Sequence, residues 1–217
     1  MSKVIALCSA YYAESFLYNR LRNLSQLLPV PEIDVICKEY SKEHEIAKQF
    51  VGRNCFIFTT RDIPTLYAAW NMVIEHATRE YLTSANTDDF TYPHGFNLMS
   101  RYLDCHPDVD IVYGDCDKRV GDSTTYSPWK RGDADLENGF NRVGVMPMWR
   151  KSLHERFGLF DESLTVSGDY EFWLRCVRGG AKIAHINQTI GLYWKRKDSL
   201  ENRNKAIMHK EDARIKA

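Results

Sequence analysis

The chain has 217 residues, with Lys plus Arg and Asp plus Glu balanced at 29 each, so its formal net charge is zero. That length suits one α/β unit able to bury a sizeable core. No basic excess supports nucleic-acid binding, and a hydrophobic fraction of 44% argues against disorder.

The six cysteines (Cys8, Cys37, Cys55, Cys105, Cys116, Cys176) lie far apart with no Cys-x-x-Cys pair, so neither a zinc site nor a disulfide framework is expected. Cys8, Cys37 and Cys55 fall inside apolar runs, where a thiol serves as a small hydrophobe. Met1 to Ala10 has no basic segment followed by a long apolar stretch, and no apolar run approaches the length of a bilayer span. The economical expectation is a reduced, cytoplasmic, soluble protein, with attachment to a membrane surface left open.

Strand and helix signals alternate from the start. Val4 to Ser9 reads as a buried strand. Leu17, Leu21, Leu24 and Leu28 recur at helical spacing up to Pro29 and Pro31. Ile33 to Cys37 and Cys55 to Thr59 read as strands around a helix over Ser41 to Phe50. Leu66, Trp70, Val73, Ile74 and Ala77 stripe a helix beginning near Pro64. Tyr81 to Ser84 is a fourth strand, running into an acidic turn, and Val109 to Tyr113 a fifth, after a helix over His94 to Cys105. This rhythm predicts an α/β fold with a mainly parallel sheet and helices on both faces.

The pattern weakens between Gly114 and Val145, a length that suggests a functional loop. Helices then follow near Lys151 to Phe157 and from Tyr170 to about Arg178, and strands over Lys182 to Ile186 and Ile190 to Trp194. Ser199 to Ala217 is charged and helix-prone, with few apolar residues to dock. No repeat or boundary divides the chain, so residues 1–217 read as one unit. Continuation into further domains beyond the C-terminus stays open.

The sharpest chemical feature is Asn86-Thr87-Asp88-Asp89 at the carboxyl end of a central strand, where open parallel sheets bind ligands. Adjacent carboxylates repel unless a cation joins them, and a hard divalent ion takes one or two carboxylates and fills its remaining positions with phosphate and water. The plain alternative is an Asp-rich turn that caps the next helix.

Three blocks lend this turn a context. Tyr67-Ala68-Ala69-Trp70-Asn71, Ala77-Thr78-Arg79-Glu80-Tyr81-Leu82 and the acidic turn form the first. Met146-Pro147-Met148-Trp149-Arg150-Lys151-Ser152 with Phe157-Gly158-Leu159-Phe160-Asp161-Glu162 forms the second, and Ser167-Gly168-Asp169-Tyr170-Glu171-Phe172-Trp173-Leu174-Arg175 the third. In this order, over nearly the whole chain, they resemble family 2 glycosyltransferases. The resemblance implies a GT-A nucleotide-diphospho-sugar transferase fold with a Rossmann-like central sheet. It also implies an inverting transfer from a nucleotide-diphosphate sugar donor to a hydroxyl of a glycan or other acceptor.

Carried over residue by residue, the resemblance places Asp88 at the metal-binding position with Asp89 beside it, holding Mn²⁺ or Mg²⁺. Asn86 replaces the usual first aspartate, next to Thr87. On the donor side stand Ala10 and Tyr11 at the end of the first strand, Glu39 where an aspartate commonly reads the base, Arg61, and Asn71. Trp149, Arg150 and Glu171 fall on the acceptor side, and Asp169 takes the place of the catalytic base, its alternative role being an ordinary helix cap. Residues 1–113 would form the nucleotide-sugar half, 114–198 the acceptor-side half, and 199–217 a charged C-terminal helix.

Other readings compete. Asp115-Cys116-Asp117 also follows a strand, as does the nucleophile of haloacid-dehalogenase-like phosphatases, but Arg119 stands where those enzymes want Thr or Val. A sugar nucleotidyltransferase would show a Gly-rich basic loop after the first strand, and Ala10 to Glu14 has neither Gly nor Lys. A binding module that keeps the fold but not the turnover is the second rival. Lys195-Arg196-Lys197 is a cationic run able to meet diphosphate charge or simply to be solvated.

Overall fold

A computed structural model of the protein describes residues 2–52 and 54–216. Val4–Ala10 (β1) is an unalternating apolar run, as suits a strand covered on both faces. Leu17, Leu21 and Leu24 form the buried stripe of Glu14–Ser25 (α1). The helix stops before the last leucine of the series, and Leu28 is exposed, because a residue preceding proline is pushed out of helical geometry.

Glu32–Lys38 (β2), Lys42–Lys48 (α2), Cys55–Thr60 (β3), Leu66–Ile74 (α3) and Tyr81–Ser84 (β4) continue the alternation. The Ser41 and Thr65 hydroxyls cap α2 and α3, each accepting from an amide, of His44 and Ala68, at 3.2 Å. The second half contains Phe90–Thr91 (β5), Gly95–Cys105 (α4), Ile111–Val120 (β6), Tyr126–Trp129 (β7) and Met148–Arg150 (β8). Ser152–Phe157 (α5), Gly168–Arg178 (α6), Ile183–Lys195 (β9), Leu200–Arg203 (α7) and Lys205–Lys216 (α8) complete it.

The sheet order is β3-β2-β1-β4-β8-β6-β9-β5, with β7 hairpinned onto β6. The expected parallel pairing joins β3, β2, β1 and β4, and recurs between β6 and β9. Between these runs the three-residue β8 lies antiparallel to both β4 and β6, and β5 is antiparallel to β9, so the second half of the sheet is mixed. Strands of two and three residues are too short to show a period, which hides β5 and β8 in the sequence.

β6 extends through the polar run Asp115 to Arg119, and the two separate strands expected after residue 182 are one continuous β9. The ladder between β6 and β9 shifts register around Asp115, so hydrophobic spacing breaks while the strands continue.

Helices cover both faces: α1, α2 and α4 pack on one, and α3, α5 and α6 on the other. The second core is aromatic, with Trp149 edge-on to Trp173 at 5.2 Å and Phe160 beside Phe172 at 4.6 Å. Truncating such a buried ring costs about 3–5 kcal/mol. This core braces α3 and α6, which carry Tyr67, Trp70 and Asp169 into the cleft.

Candidate active site

The carboxyl ends of β1 and β4, the first turn of α6 and the far end of β9 border a cleft of about 380 Å³. Its walls include Tyr11, Asn86, Thr87, Asp88, Asp169 and Arg196. A second groove of about 500 Å³, with Trp129, Arg142 and Tyr193, shares Asp169 and Glu201 with it. A larger depression of about 690 Å³ lies between α1 and α2, near the amino ends of β2 and β3, and contains no carboxylate.

The acidic turn separates its two aspartates. Asp89 is buried, its Oδ1 accepting from the Trp194 amide at 3.3 Å and its Oδ2 from the Asn86 side-chain amide at 3.3 Å. Burial, then the neighbouring Asp88, push its carboxyl up to about 7, while buried Arg20 opposes that shift. Asp88 keeps a side chain 21% exposed on the cleft, and burial raises its proton affinity against the pull of Arg196.

Arg196 Nε lies 3.5 Å from Asp88 Oδ2 and 3.1 Å from Asp198 Oδ1, yet it makes no hydrogen bond. The guanidinium stacks 4.1 Å over the Phe16 ring. Its charge is met by the Asp88 and Asp198 carboxylates, and its place on the cleft lining lets the guanidinium face a further anion as well.

Across the cleft stands Asp169, in the first turn of α6. Burial raises its carboxyl to about 6, partly offset by the Tyr170 amide and the Tyr67 hydroxyl. That oxygen of Tyr67 donates to the Val166 carbonyl at 2.5 Å and lies 3.4 Å from Asp169 Oδ1. Gly168 permits the approach: a Cβ there would meet the Tyr67 ring at 2.6 Å. Ser167, at the N-cap position, makes no side-chain cap bond.

The remaining expected site residues divide. Asn86, Thr87, Asp88, Asp89, Tyr11, Asp169 and the floor residue Trp149 line the cleft together. Ala10 is fully buried, and Glu39 and Arg61 follow the neighbouring strand ends outside the lining, Arg61 exposed. Asn71 faces the loop after α5, bonding the Phe160 carbonyl and amide at 2.9 and 3.1 Å and Glu162 at 2.9 Å.

Arg150 also points away from the cleft. It donates to the carbonyls of Val109, Leu103 and His106, because successive residues of a strand face opposite sides and Trp149 takes the inner one. Glu171 lies about 200° round the helix from Asp169. It holds Arg175 in a two-point pair at 2.7 and 2.9 Å instead of facing an acceptor.

The competing acidic run is structural. Asp115 is buried and accepts from the Arg131 amide, Lys130 and His185 at 2.7, 2.9 and 2.9 Å. Burial works against its charge, but these donors together hold its carboxyl below the ordinary range. Asp117 accepts from the Tyr92 hydroxyl at 2.5 Å. Neither lines the cleft.

Sequence reasoning missed Tyr12, Phe16, Tyr67 and Glu201 as cleft residues and left Arg196 among solvated charges. Tyr12, two residues past the end of β1, sits at φ 57°, rare backbone for a bulky residue that only the structure reveals. Glu201 carried no signal, because nothing in the spacing of the last segment ties it to β4.

Among the described residues no group of three or more His, Cys, Asp and Glu side chains could hold a metal unaided. With Asp89 buried, Asp88 is the carboxylate of the acidic turn that stays open to the cleft. This donor set fits a hard divalent ion only when diphosphate and water complete the shell.

No protein-family model matches the chain. It is 32% identical over 114 residues to the uncharacterized protein y4gI of Sinorhizobium fredii, covering 50% of this chain and 12% of that one. It is 24% identical over 160 residues to the uncharacterized glycosyltransferase MJ1057 of Methanocaldococcus jannaschii, covering 70% of this chain and 55% of the other. The chain thus spans only part of both curated relatives.

Among solved structures, residues 1–349 of S. aureus TarS with UDP-GlcNAc superpose at a TM-score of 0.75 and 14% identity, over 91% of this chain and 60% of that one. The mannosyltransferase PcManGT of Pyrobaculum calidifontis with GDP-Man and Mn²⁺ gives 0.66 and 14%, over 88% and 56%. The fold is a GT-A-like nucleotide-sugar transferase fold.

Proposed function

We propose that the chain transfers a glycosyl group, with inversion, from a nucleoside-diphosphate sugar to a hydroxyl of a glycan or other acceptor. The observation that carries this reading is one cleft lined by two chemically distinct walls. One offers Asp88 beside an unbonded Arg196 N–H, and the other offers Asp169 with its carboxyl raised to about 6. The structural neighbours holding UDP-GlcNAc, and GDP-Man with Mn²⁺, support the donor class.

In this reading Asp88 would hold Mn²⁺ or Mg²⁺ together with the donor's diphosphate. The ion, when bound, neutralises charge on the leaving nucleoside diphosphate. Arg196 donates its free N–H to the same anion and fixes its position. Asp89, bonded to Asn86 and the Trp194 amide, keeps the turn in shape. Tyr11 flanks the donor at the end of β1, while Glu39 and Arg61, at the next strand ends, lie outside the cleft lining.

Asp169 takes the acceptor hydroxyl proton as the sugar's anomeric carbon loses the diphosphate. A base with its pKa near 6 is mostly ionised at pH 7 and still accepts a proton readily. The groove with Trp129, Tyr193 and Arg142 opens onto Asp169 and admits the acceptor. In this reading residues 1–113, with Arg196, would supply the donor wall and the rest of 114–198 most of the acceptor wall, with Ser199, Leu200, Glu201 and Arg203 also on the cleft lining.

The test is a panel of nucleotide sugars incubated with the chain in Mn²⁺ and in Mg²⁺, read by nucleoside-diphosphate release and mass spectrometry. The anomeric configuration of any product is read by NMR. Release from at least one donor, stopped by chelation, is expected. An absence of binding to every nucleoside-diphosphate sugar, with metal present, overturns the reading.

A further inference from the structure

We infer that α8 carries the positioning residues of the Asp169 loop: Glu211, with Asp212, fixes residues 165–167 so that Asp169 faces the cleft. This rests on the reading of Asp169 as base.

Glu211 is the one residue of α8 described as buried. Its Oε1 accepts from the Thr165 amide at 2.6 Å, and its Oε2 from the Val166 and Ser167 amides at 3.0 and 2.9 Å. A glutamate is rarely buried without compensation, and three successive amides compensate this one. Those amides immediately precede α6, where the free N–H groups and the helix dipole favour negative charge.

The neighbouring Asp212 acts on the same loop. It accepts the Ser167 hydroxyl at 2.6 Å, which explains why Ser167 does not cap α6. From the other side Tyr67 donates to the Val166 carbonyl. The Val166–Ser167 peptide is thereby held at its N–H by α8 and at its C=O by α3. Asp169 follows two residues later, past a glycine pressed against Tyr67. Two adjacent acids of a mostly exposed helix converge on this loop, and an ordinary surface helix would face them to water.

The experiment uses the full chain with Glu211→Gln, Glu211→Asp and Ser167→Ala. Glu211→Gln is expected to lower kcat at least tenfold, with donor KM and nucleotide affinity within twofold and the melting temperature within a few degrees. Glu211→Asp should recover part of the rate. An unchanged kcat in Glu211→Gln, or a fall shared equally by kcat and donor affinity, overturns the proposal.

Should Glu211→Gln fail to fold, Ser167→Ala removes only the Asp212 contact. It is expected to lower kcat without moving KM, and an unchanged kcat overturns the proposal. Amide exchange at residues 165–167 separates this idea from the activity: slow in wild type and fast in Glu211→Gln is expected, and equal exchange overturns it. A wild type that transfers no sugar but shows that exchange difference refutes the activity and leaves the latch standing.

Discussion

The Tyr67 hydroxyl stands 3.4 Å from Asp169 Oδ1 while donating to the Val166 carbonyl at 2.5 Å, so one phenol serves both the loop and its carboxylate. Tyr67→Phe removes a partner that favours the ionised carboxylate, so Asp169 should hold its proton to higher pH. The acid limb of the pH–rate profile is then expected to move upward, with turnover falling more at pH 6 than at pH 8. The unpartnered Val166 carbonyl should cost about 1–3 kcal/mol in denaturant melts.

Gly168→Ala should disturb the same contact from below. Its new Cβ would lie 2.6 Å from the Tyr67 ring. Displacing a ring packed in the aromatic core costs about 1–3 kcal/mol. Thermal unfolding measures that loss, and turnover should fall with it because the ring also braces Asp169.

Asp169→Asn should slow transfer about a hundredfold or more, the scale of a lost general base. Calorimetry should find donor affinity almost unchanged. Stability provides a second readout. With a folded-state value of about 6, the folded protein keeps a proton that the unfolded chain releases between about pH 4 and pH 6. Wild type therefore loses stability across that window and the asparagine variant does not. The variant should gain up to about 3 kcal/mol relative to wild type by pH 7.

Asp88→Asn should abolish most metal-dependent binding of nucleoside diphosphate, and Arg196→Gln should weaken it about tenfold or more at constant metal. Calorimetry in Mn²⁺ and after chelation checks both. Equal affinity of wild type and both variants, in Mn²⁺ and after chelation alike, would remove the acidic turn from the proposed donor site.

Asp115→Asn should leave that binding intact and destabilise the chain by about 2–4 kcal/mol, since Lys130, His185 and the Arg131 amide lose a charged acceptor. Asp117→Asn should do less. No phosphatase activity is expected from wild type or either variant.

The fold's first half was legible because its strands are short, mostly apolar runs and each helix has a cap or a leucine series. The second half was less so. β8 is three residues long, and β6 hides its outer end in Asp115 to Arg119. The site followed the same division. Asp88 and Asp169, which begin or end strong local signals, do line one cleft. Arg150 and Glu171 do not, because which way a side chain turns depends on strand pleat and helix phase, not on adjacency to a motif. Glu211 looked like a solvated charge because its partners are backbone amides, which no pattern of side chains reveals.

Asp89 receives the amide of a residue 105 positions downstream. This bond dates the site within the folding of the chain. Contacts of such sequence separation form slowly, after the local helices and the first parallel strands. A chain cut after residue 113 would contain the whole β3-β2-β1-β4 ribbon and every residue of the acidic turn, yet neither the amide that anchors Asp89 nor Arg196. On a ribosome the same holds until β9 and Arg196 have emerged, so the cleft is complete only once the residues up to that point have been made.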